Sequence, residues 1–121
     1  MQPEQVTGNS RSKLTIEFMF IVSLNYVASP GQIDSRMVEH VKFLQKHYQA
    51  GTFLTSGRKV PRTGGIILAV GNSKVEIETI MNEDPFVKFK LAKVEVTEFQ
   101  NSQMSPGFRK MMEELQVTGN R

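Results

Sequence analysis

The sequence of 121 residues contains no cysteine, and its charge is nearly balanced at a net +3. Without cysteine there are no disulfides, thiol nucleophiles or cysteine metal sites, and a reducing cytoplasm is compatible. No apolar run approaches membrane-spanning length, and the first residues lack the apolar core of a signal peptide. Nucleic-acid modules usually concentrate more positive charge than this chain carries. We therefore expect a soluble, cytoplasmic protein that binds neither membranes nor nucleic acids.

The length fits one domain with polar ends. Residues 1–13 offer almost nothing to bury, and we interpret them as a disordered N-terminal extension. Residues 14–100 carry the regular apolar patterns and form the predicted domain. Residues 101–121 are interpreted as a C-terminal tail, in which the apolar spacing allows a short helix through Phe108, Met111, Met112 and Leu115.

A long first strand is predicted because every second residue is apolar or aromatic: Ile16, Phe18, Phe20, Val22, Leu24 and Tyr26. Met19 and Ile21 make the opposite face partly apolar as well. A strand that is apolar on both faces needs cover on both sides. We expect the chain's own helices on one side and a second copy on the other, giving a homodimer or a higher assembly.

An amphipathic helix follows, entered at Ser29 and Pro30 and ended by Gly51. Its apolar face is spaced by four, four, three and four residues: Ile33, Met37, Val41, Leu44 and Tyr48. At about 100° per residue, His40 lies at the margin of this face, partly desolvated but reachable. His47 is expected to be exposed and ordinary.

The stretch from Ser56 to Gly65 holds three glycines, a proline and three cations between two short apolar runs, Thr52–Thr55 and Ile66–Val70. It predicts a hairpin with a polar, basic loop. A cationic loop with exposed backbone can receive an anion. A solvated turn explains the same composition, and the segment alone does not separate the two.

A second helix is predicted after Ser73, which with Glu76 forms a capping box, and it stops by Glu83 because Pro85 follows. Asp84, Pro85 and Phe86 then form a fixed corner with an acid at its tip. A final strand alternates through Ala92, Val94 and Val96.

The order β-α-β-β-α-β predicts an α+β, ferredoxin-like fold: an antiparallel four-stranded sheet with both helices on one face and the other face free. RNA-binding RRM domains share this order, but they stack bases on aromatic residues of their third strand. The third strand here, Ile66–Val70, has none.

The chain resembles the YciI-like (YCII-related) proteins over about Phe18 to Phe99. The resemblance rests on an ordered set of residues: His40, Phe43-Leu44, Gly51, Ser56-Gly57-Arg58, Pro61-Arg62-Thr63-Gly64-Gly65 and Asp84-Pro85-Phe86. It implies a dimeric α+β barrel with a pocket in each subunit holding a histidine and an aspartate, matched here by His40 and Asp84. Many members have no established reaction, but relatives include a dehydrochlorinase of chlorinated hydroxyquinol breakdown. The reaction does not transfer with the fold.

Together these observations predict a site in which His40 is a general acid/base oriented by Asp84. Ser56 is a candidate hydrogen-bond donor, and Arg58 and Arg62 are candidate clamps for a carboxylate or phosphate. The remaining predicted ligand contacts are Gly64, Gly65 and Phe86. Each has a structural alternative: an edge histidine bonded to a carbonyl, an aspartate that caps a turn, a turn serine and solvated arginines.

Two functions fit such a pocket. One is a small-molecule enzyme that performs isomerisation, elimination or dehydrochlorination on an anionic or phenolic substrate. The other is a non-catalytic ligand-binding or regulatory module. We expect no cofactor. We also expect no metal, because His40 and His47 lie two helical turns apart, too far to share one ion.

Overall fold

The computed structural model describes residues 18–119, so Ile16 and the N-terminal extension lie outside the described residues. Four strands and five helices follow one another. They are β1 (Phe18–Tyr26), α1 (Pro30–Ser35), α2 (Met37–Gln49), β2 (Phe53–Arg58), β3 (Gly64–Val70), α3 (Lys74–Met81), α4 (Pro85–Lys88), β4 (Ala92–Gln100) and α5 (Pro106–Gly119). Within these residues no helix is long and apolar enough to span a bilayer.

The strands form one antiparallel sheet in the order β2-β3-β1-β4. This order confirms the predicted ferredoxin-like fold. The alternation in β1 also has the predicted result on one face, where Phe20, Val22 and Leu24 are buried. They share the main core with residues of the helices, among them Ile33, Phe43, Ile77, Met81 and Phe86. The helices α1 to α4 therefore cover one face of the sheet.

The helix predicted from Pro30 onward is two helices, and this corrects the sequence interpretation. Ser29 caps α1 through a capping box with Gln32, but Arg36 leaves helical geometry at φ −114° and ψ 10°. Its amide donates to the carbonyl of Ile33, three residues back. The chain therefore bends before α2 begins. Gly51 ends α2 as predicted, with a left-handed φ of 82° that favours glycine.

The hairpin has longer strands and a shorter loop than predicted, because β2 runs to Arg58 and β3 starts at Gly64. Only residues 59–63 form the connection. Gly64 can pair in the sheet because it has no side chain: a Cβ there would lie 1.8 Å from the carbonyl oxygen of Leu24. Here glycine allows two strands to approach closely instead of breaking a strand.

Two local signals act around α3. Ser73 caps the helix by accepting from the amide of Glu76 at 3.1 Å. The Glu76 carboxylate accepts from Asn72, one residue before the cap, so the predicted box is only half present. The helix ends at Met81, and Asp84 then caps α4 by accepting from the amide of Phe86 at 3.0 Å.

The sequence interpretation expected no part of this chain to cover the second face of the sheet, and the structure differs on this point. Helix α5 lies on it, and Met112 is buried with Met19 and Val70 in a second core. The side chains packed around them are Leu54, Leu68, Phe99 and Phe108. Ile21 and Ile66, further along the same face, stay 39 % and 38 % exposed. The C-terminal helix thus covers one end of this face, which a sequence pattern alone could not show.

The close approach at Gly64 predicts that Gly64→Ala lowers the free energy of unfolding by about 1–3 kcal/mol or more, because the methyl group displaces backbone. Gly57→Ala is the matched control in the paired strand. A Cβ at Gly57 meets nothing within 4 Å, so we expect a change within about 1 kcal/mol. Urea unfolding of both variants measures the difference, and equal stabilities would contradict this packing.

Candidate functional site

A cavity of about 150 Å³ lies between α2 and the helix-covered face of β1, β2 and β3. Its lining combines an apolar group with four polar side chains. The apolar side chains are Leu24, Met37, Val41, Leu44 and Ile67, and the polar ones are Tyr26, His40, Ser56 and Arg58. The mixture of an apolar wall and a few polar groups is typical of small-molecule sites.

His40 enters this cavity from α2 with its ring fixed on two sides. One face stacks on the ring of Phe86, with centroids 4.1 Å apart and planes 11° apart. Its Nδ1 lies 2.9 Å from Oδ1 of Asp84, and its side chain is 12 % exposed. Because a carboxylate only accepts, Nδ1 carries the proton. Nε2 forms no hydrogen bond within residues 18–119 and is the nitrogen available to a ligand.

Asp84 lies behind His40 and is fully buried, so the acid is not at an exposed tip. Its Oδ1 accepts from both the His40 ring and the amide of Phe86. Its Oδ2 is buried and has no partner among the described residues. A buried carboxylate favours an imidazolium beside it, because the positive charge compensates for lost solvation. The pair is therefore suited to stabilise a proton taken up at Nε2.

The predicted ligand residues separate into two groups. Ser56, Arg58 and Gly65 line the cavity together with His40. Gly64 lies under the carbonyl of Leu24 and Phe86 is buried behind the histidine ring, and neither residue lines the cavity.

Arg62 does not line the cavity, because its side chain is paired with Asp34. Its Nη2 donates to Oδ1 of Asp34 at 2.6 Å, linking the hairpin loop to α1. This hydrogen bond raises the pKa of Arg62 above its usual value, against a smaller opposing effect of burial. The side chain of Arg58, in contrast, forms no ion pair within residues 18–119. Arg58 is thus the cation available to a ligand in the cavity.

The sequence interpretation missed two tyrosines. Tyr26 lines the cavity, and its ring meets the edge of Phe86 at 5.8 Å. Tyr48 shares a hydrogen bond with Ser56 and so holds the serine hydroxyl at the cavity wall. The alternation in β1 places Tyr26 on the helix-covered face, at the end nearest the hairpin, which was a usable signal. Nothing in the sequence spacing indicates the Tyr48–Ser56 contact.

His47 is buried at 6 % exposure, so the expectation of an exposed, ordinary histidine was wrong. Its ring lies 5.1 Å from those of Phe43 and Phe53, and Nε2 lies 2.9 Å from Oε1 of Glu83. The error has a physical cause: the face of α2 with Met37 and Leu44 borders the cavity, and the Phe43–His47 side reaches the core. Nowhere in residues 18–119 do three histidine, cysteine or acidic side chains form a metal-binding cluster.

An α+β domain of ferredoxin-like order, with a histidine–aspartate pair at a cavity, is the class of protein that the fold and the site define. Within that class the chain belongs to the YCII-related family, whose domain model matches residues 19–100. This match confirms the family that the sequence resemblance indicated.

Three solved structures are among those to which the chain is similar. A 5-chloro-2-hydroxyhydroquinone dehydrochlorinase from Burkholderia phenoliruptrix, in complex with 2,5-dihydroxybenzoquinone, is 18 % identical with a TM-score of 0.52, covering 65 % of this chain and 90 % of that one. SnoaB, a cofactor-independent oxygenase from Streptomyces nogalater, is 14 % identical with a TM-score of 0.44, covering 74 % and 96 %. A conserved protein from Methanosarcina mazei is 11 % identical with a TM-score of 0.49, covering 76 % and 97 %. None of the curated proteins matches the chain. At these identities the dehydrochlorinase likeness shows the fold alone.

Stability should depend on pH through Glu83. The hydrogen bond from His47, followed by Lys46, lowers the pKa of Glu83 below its ordinary value of 4.5, with burial opposing the shift. Because the folded pKa is the lower one, this stabilisation is present above pH 4.5 and is lost as the pH falls through the folded value. Glu83→Gln should therefore flatten the decline of unfolding free energy below this pH. Glu78→Gln, on the exposed side of α3, is the control, and equal acid profiles of the two variants would refute the assignment.

Proposed function

We propose that the protein is a small-molecule enzyme in which His40 acts as a general acid/base. The observation that supports this most strongly is the His40–Asp84 pair: Nδ1 donates to a fully buried carboxylate, and Nε2 faces a cavity with no hydrogen-bond partner among the described residues. A histidine held in one tautomer by a carboxylate can take a proton at the other nitrogen and return it.

The reaction that suits this pair is proton transfer at carbon. Nε2 of His40 takes a proton from a C–H bond, and the electron pair of that bond forms a new double bond. In an elimination, such as a dehydrochlorination, the leaving group departs with the electrons of its own bond. In an isomerisation, His40 returns the proton to another carbon. Asp84 stabilises the imidazolium in either case.

The cavity suggests the kind of substrate. A volume of about 150 Å³ is comparable to engineered apolar cavities that hold one benzene molecule. The apolar wall suits the face of a single ring. Arg58 and the Ser56 hydroxyl suit an anionic or phenolic oxygen on that ring. The substrate proposed is therefore a single-ring anion or phenol, and the quinone bound by the dehydrochlorinase is a suitable probe of the same size.

The proposal predicts that 2,5-dihydroxybenzoquinone binds and that His40→Asn and Arg58→Met each weaken binding by about 10- to 100-fold, the usual cost of a hydrogen bond to a charged group. Arg62→Met is the matched control, because Arg62 pairs with Asp34, and its affinity should stay that of the parent. Absorbance titration of the coloured quinone measures all four proteins.

Chlorinated hydroquinones, which can lose HCl through a keto tautomer to give a quinone, then test turnover through chloride release. Binding that depends on His40 and Arg58, without turnover of any such phenol, would favour the non-catalytic ligand-binding module. Binding that ignores both residues would contradict the assignment of the cavity as the site.

We also propose that the chain forms a homodimer through the second sheet face. Ile21 and Ile66 remain exposed there beside the end that α5 covers, and Leu115 of α5 is 42 % exposed. Exposed apolar side chains gathered on one sheet face are costly in water, and such a face is commonly an interface.

The dimer proposal predicts that Ile21→Lys converts a dimer to a monomer at micromolar concentration, because each copy would bury an unpaired charge. Val38→Lys is the control, since Val38 is 71 % exposed on α2, away from this face. Sedimentation velocity distinguishes the species. A parent protein that sediments only as a monomer would rule the interface out.

A further inference from the structure

We propose that Glu83 and His47 form a clamp that positions Asp84, and through it His40, in the candidate site. By the clamp we mean the contact of the Glu83 carboxylate with the buried His47 ring, 2.9 Å between Oε1 and Nε2. The proposal rests on the proposed function in one respect only: it takes His40 as the working base. It assigns positioning residues that touch neither the cavity nor a ligand.

The proposal of a clamp rests on a contact that occurs twice along α2, each time between a histidine of the helix and a carboxylate. His40 and His47 are seven residues apart, so they project on nearly the same side of the helix, about 10 Å apart along its axis. Their partners, Asp84 and Glu83, are consecutive residues of the turn that joins α3 to α4. One helix thus holds two adjacent carboxylates at two points.

The inner contact holds one of the two oxygens of the Asp84 carboxylate. Oδ1 accepts from His40 and from the amide of Phe86, while Oδ2 has no partner among the described residues. The backbone of Asp84 is held within the turn, because its amide donates to Met81 and its carbonyl accepts from Val87 and Lys88. The turn as a whole contacts α2 through His40 and, one residue away, through His47. The second contact thus helps to hold the turn, and with it Asp84, against the helix that carries His40.

His47 is a suitable anchor for the second attachment. Its side chain is 8 % exposed and its ring lies between Phe43 and Phe53, so it cannot swing out to water. Lys46 also reaches Oε1 of Glu83, at 3.1 Å, but it is 66 % exposed on a flexible stem. Exposed ion pairs of this type contribute little. The clamp therefore depends on His47 and not on Lys46.

The experiment reads the tautomer of His40 in the free protein from the ¹⁵N chemical shifts of its ring, at about pH 9, above the range in which histidines usually titrate. The full chain should show only the Nδ1–H form. Glu83→Ala should lose this single signature, with the ring shifts moving toward a mixture of both tautomers. Glu83→Gln, whose amide oxygen can still accept from His47, should restore it. Glu78→Ala on α3 is the matched control and should keep the parent shifts.

A Glu83→Ala protein that keeps the parent shifts of His40 would overturn the proposal, as would a Gln variant that fails to restore them. A general loss of stability does not imitate the expected result, since it would change shifts throughout the protein, whereas the clamp predicts a change centred on the ring of His40. Were Glu83→Ala not to fold, Glu83→Asp, one methylene shorter, decides by the same readout. The measurement uses no ligand, so its failure and a failure of the quinone to bind are separate results.

Discussion

The carboxylate of Asp84, which water does not reach, lies between α3 and α4, and the site is arranged around it. An ionised group in the interior is stable only with partners that compensate for lost solvation. Asp84 takes two donors on one oxygen, the ring of His40 and the amide of Phe86. The first fixes the tautomer of the histidine, and the second makes the same residue the cap of α4. Phe86 in turn supports the histidine ring by stacking. The start of α4, the orientation of His40 and the position of Phe86 thus all depend on the side chain of Asp84.

The bend at Arg36 and the glycines of the hairpin explain why a cavity lies next to this pair. With α1 and α2 as separate helices, Ile33 is fully buried while Met37 and Leu44 are only partly so. Both residues pack against the core with part of their surface and form the wall of the cavity with the rest. Such a loss of burial lowers stability, and it is commonly tolerated where a ligand takes the place of core side chains. The tight contact at Gly64 keeps β1 and β3 aligned on the opposite side of the cavity.

Local patterns in the sequence predict the parts of the fold that depend on local physics. The alternation in β1, the Ser73 cap and the stop before Pro85 each follow from backbone geometry within a few residues. The break at Arg36 has no comparable signal, because neither proline nor glycine marks it. Whether Phe43 and His47 or Met37 and Leu44 of α2 meet the core is decided by how the helix sits on the sheet. The docking of α5 on Met19 depends on residues almost the whole domain apart.

The site shows the same limit. His40 and Asp84 are 44 residues apart, and only the ordered resemblance to the YCII-related family indicated that they meet. Arg58 and Arg62 looked equivalent in the sequence, yet Arg62 is paired with Asp34 outside the cavity.

The central claim is that the cavity beside His40 Nε2 receives a single-ring anion. The most direct test is a crystal structure of the protein with the same quinone probe. The account predicts a ring in the cavity, with an oxygen on Arg58 and an atom within hydrogen-bond distance of Nε2. A ring bound elsewhere, with the cavity holding only water, would contradict it.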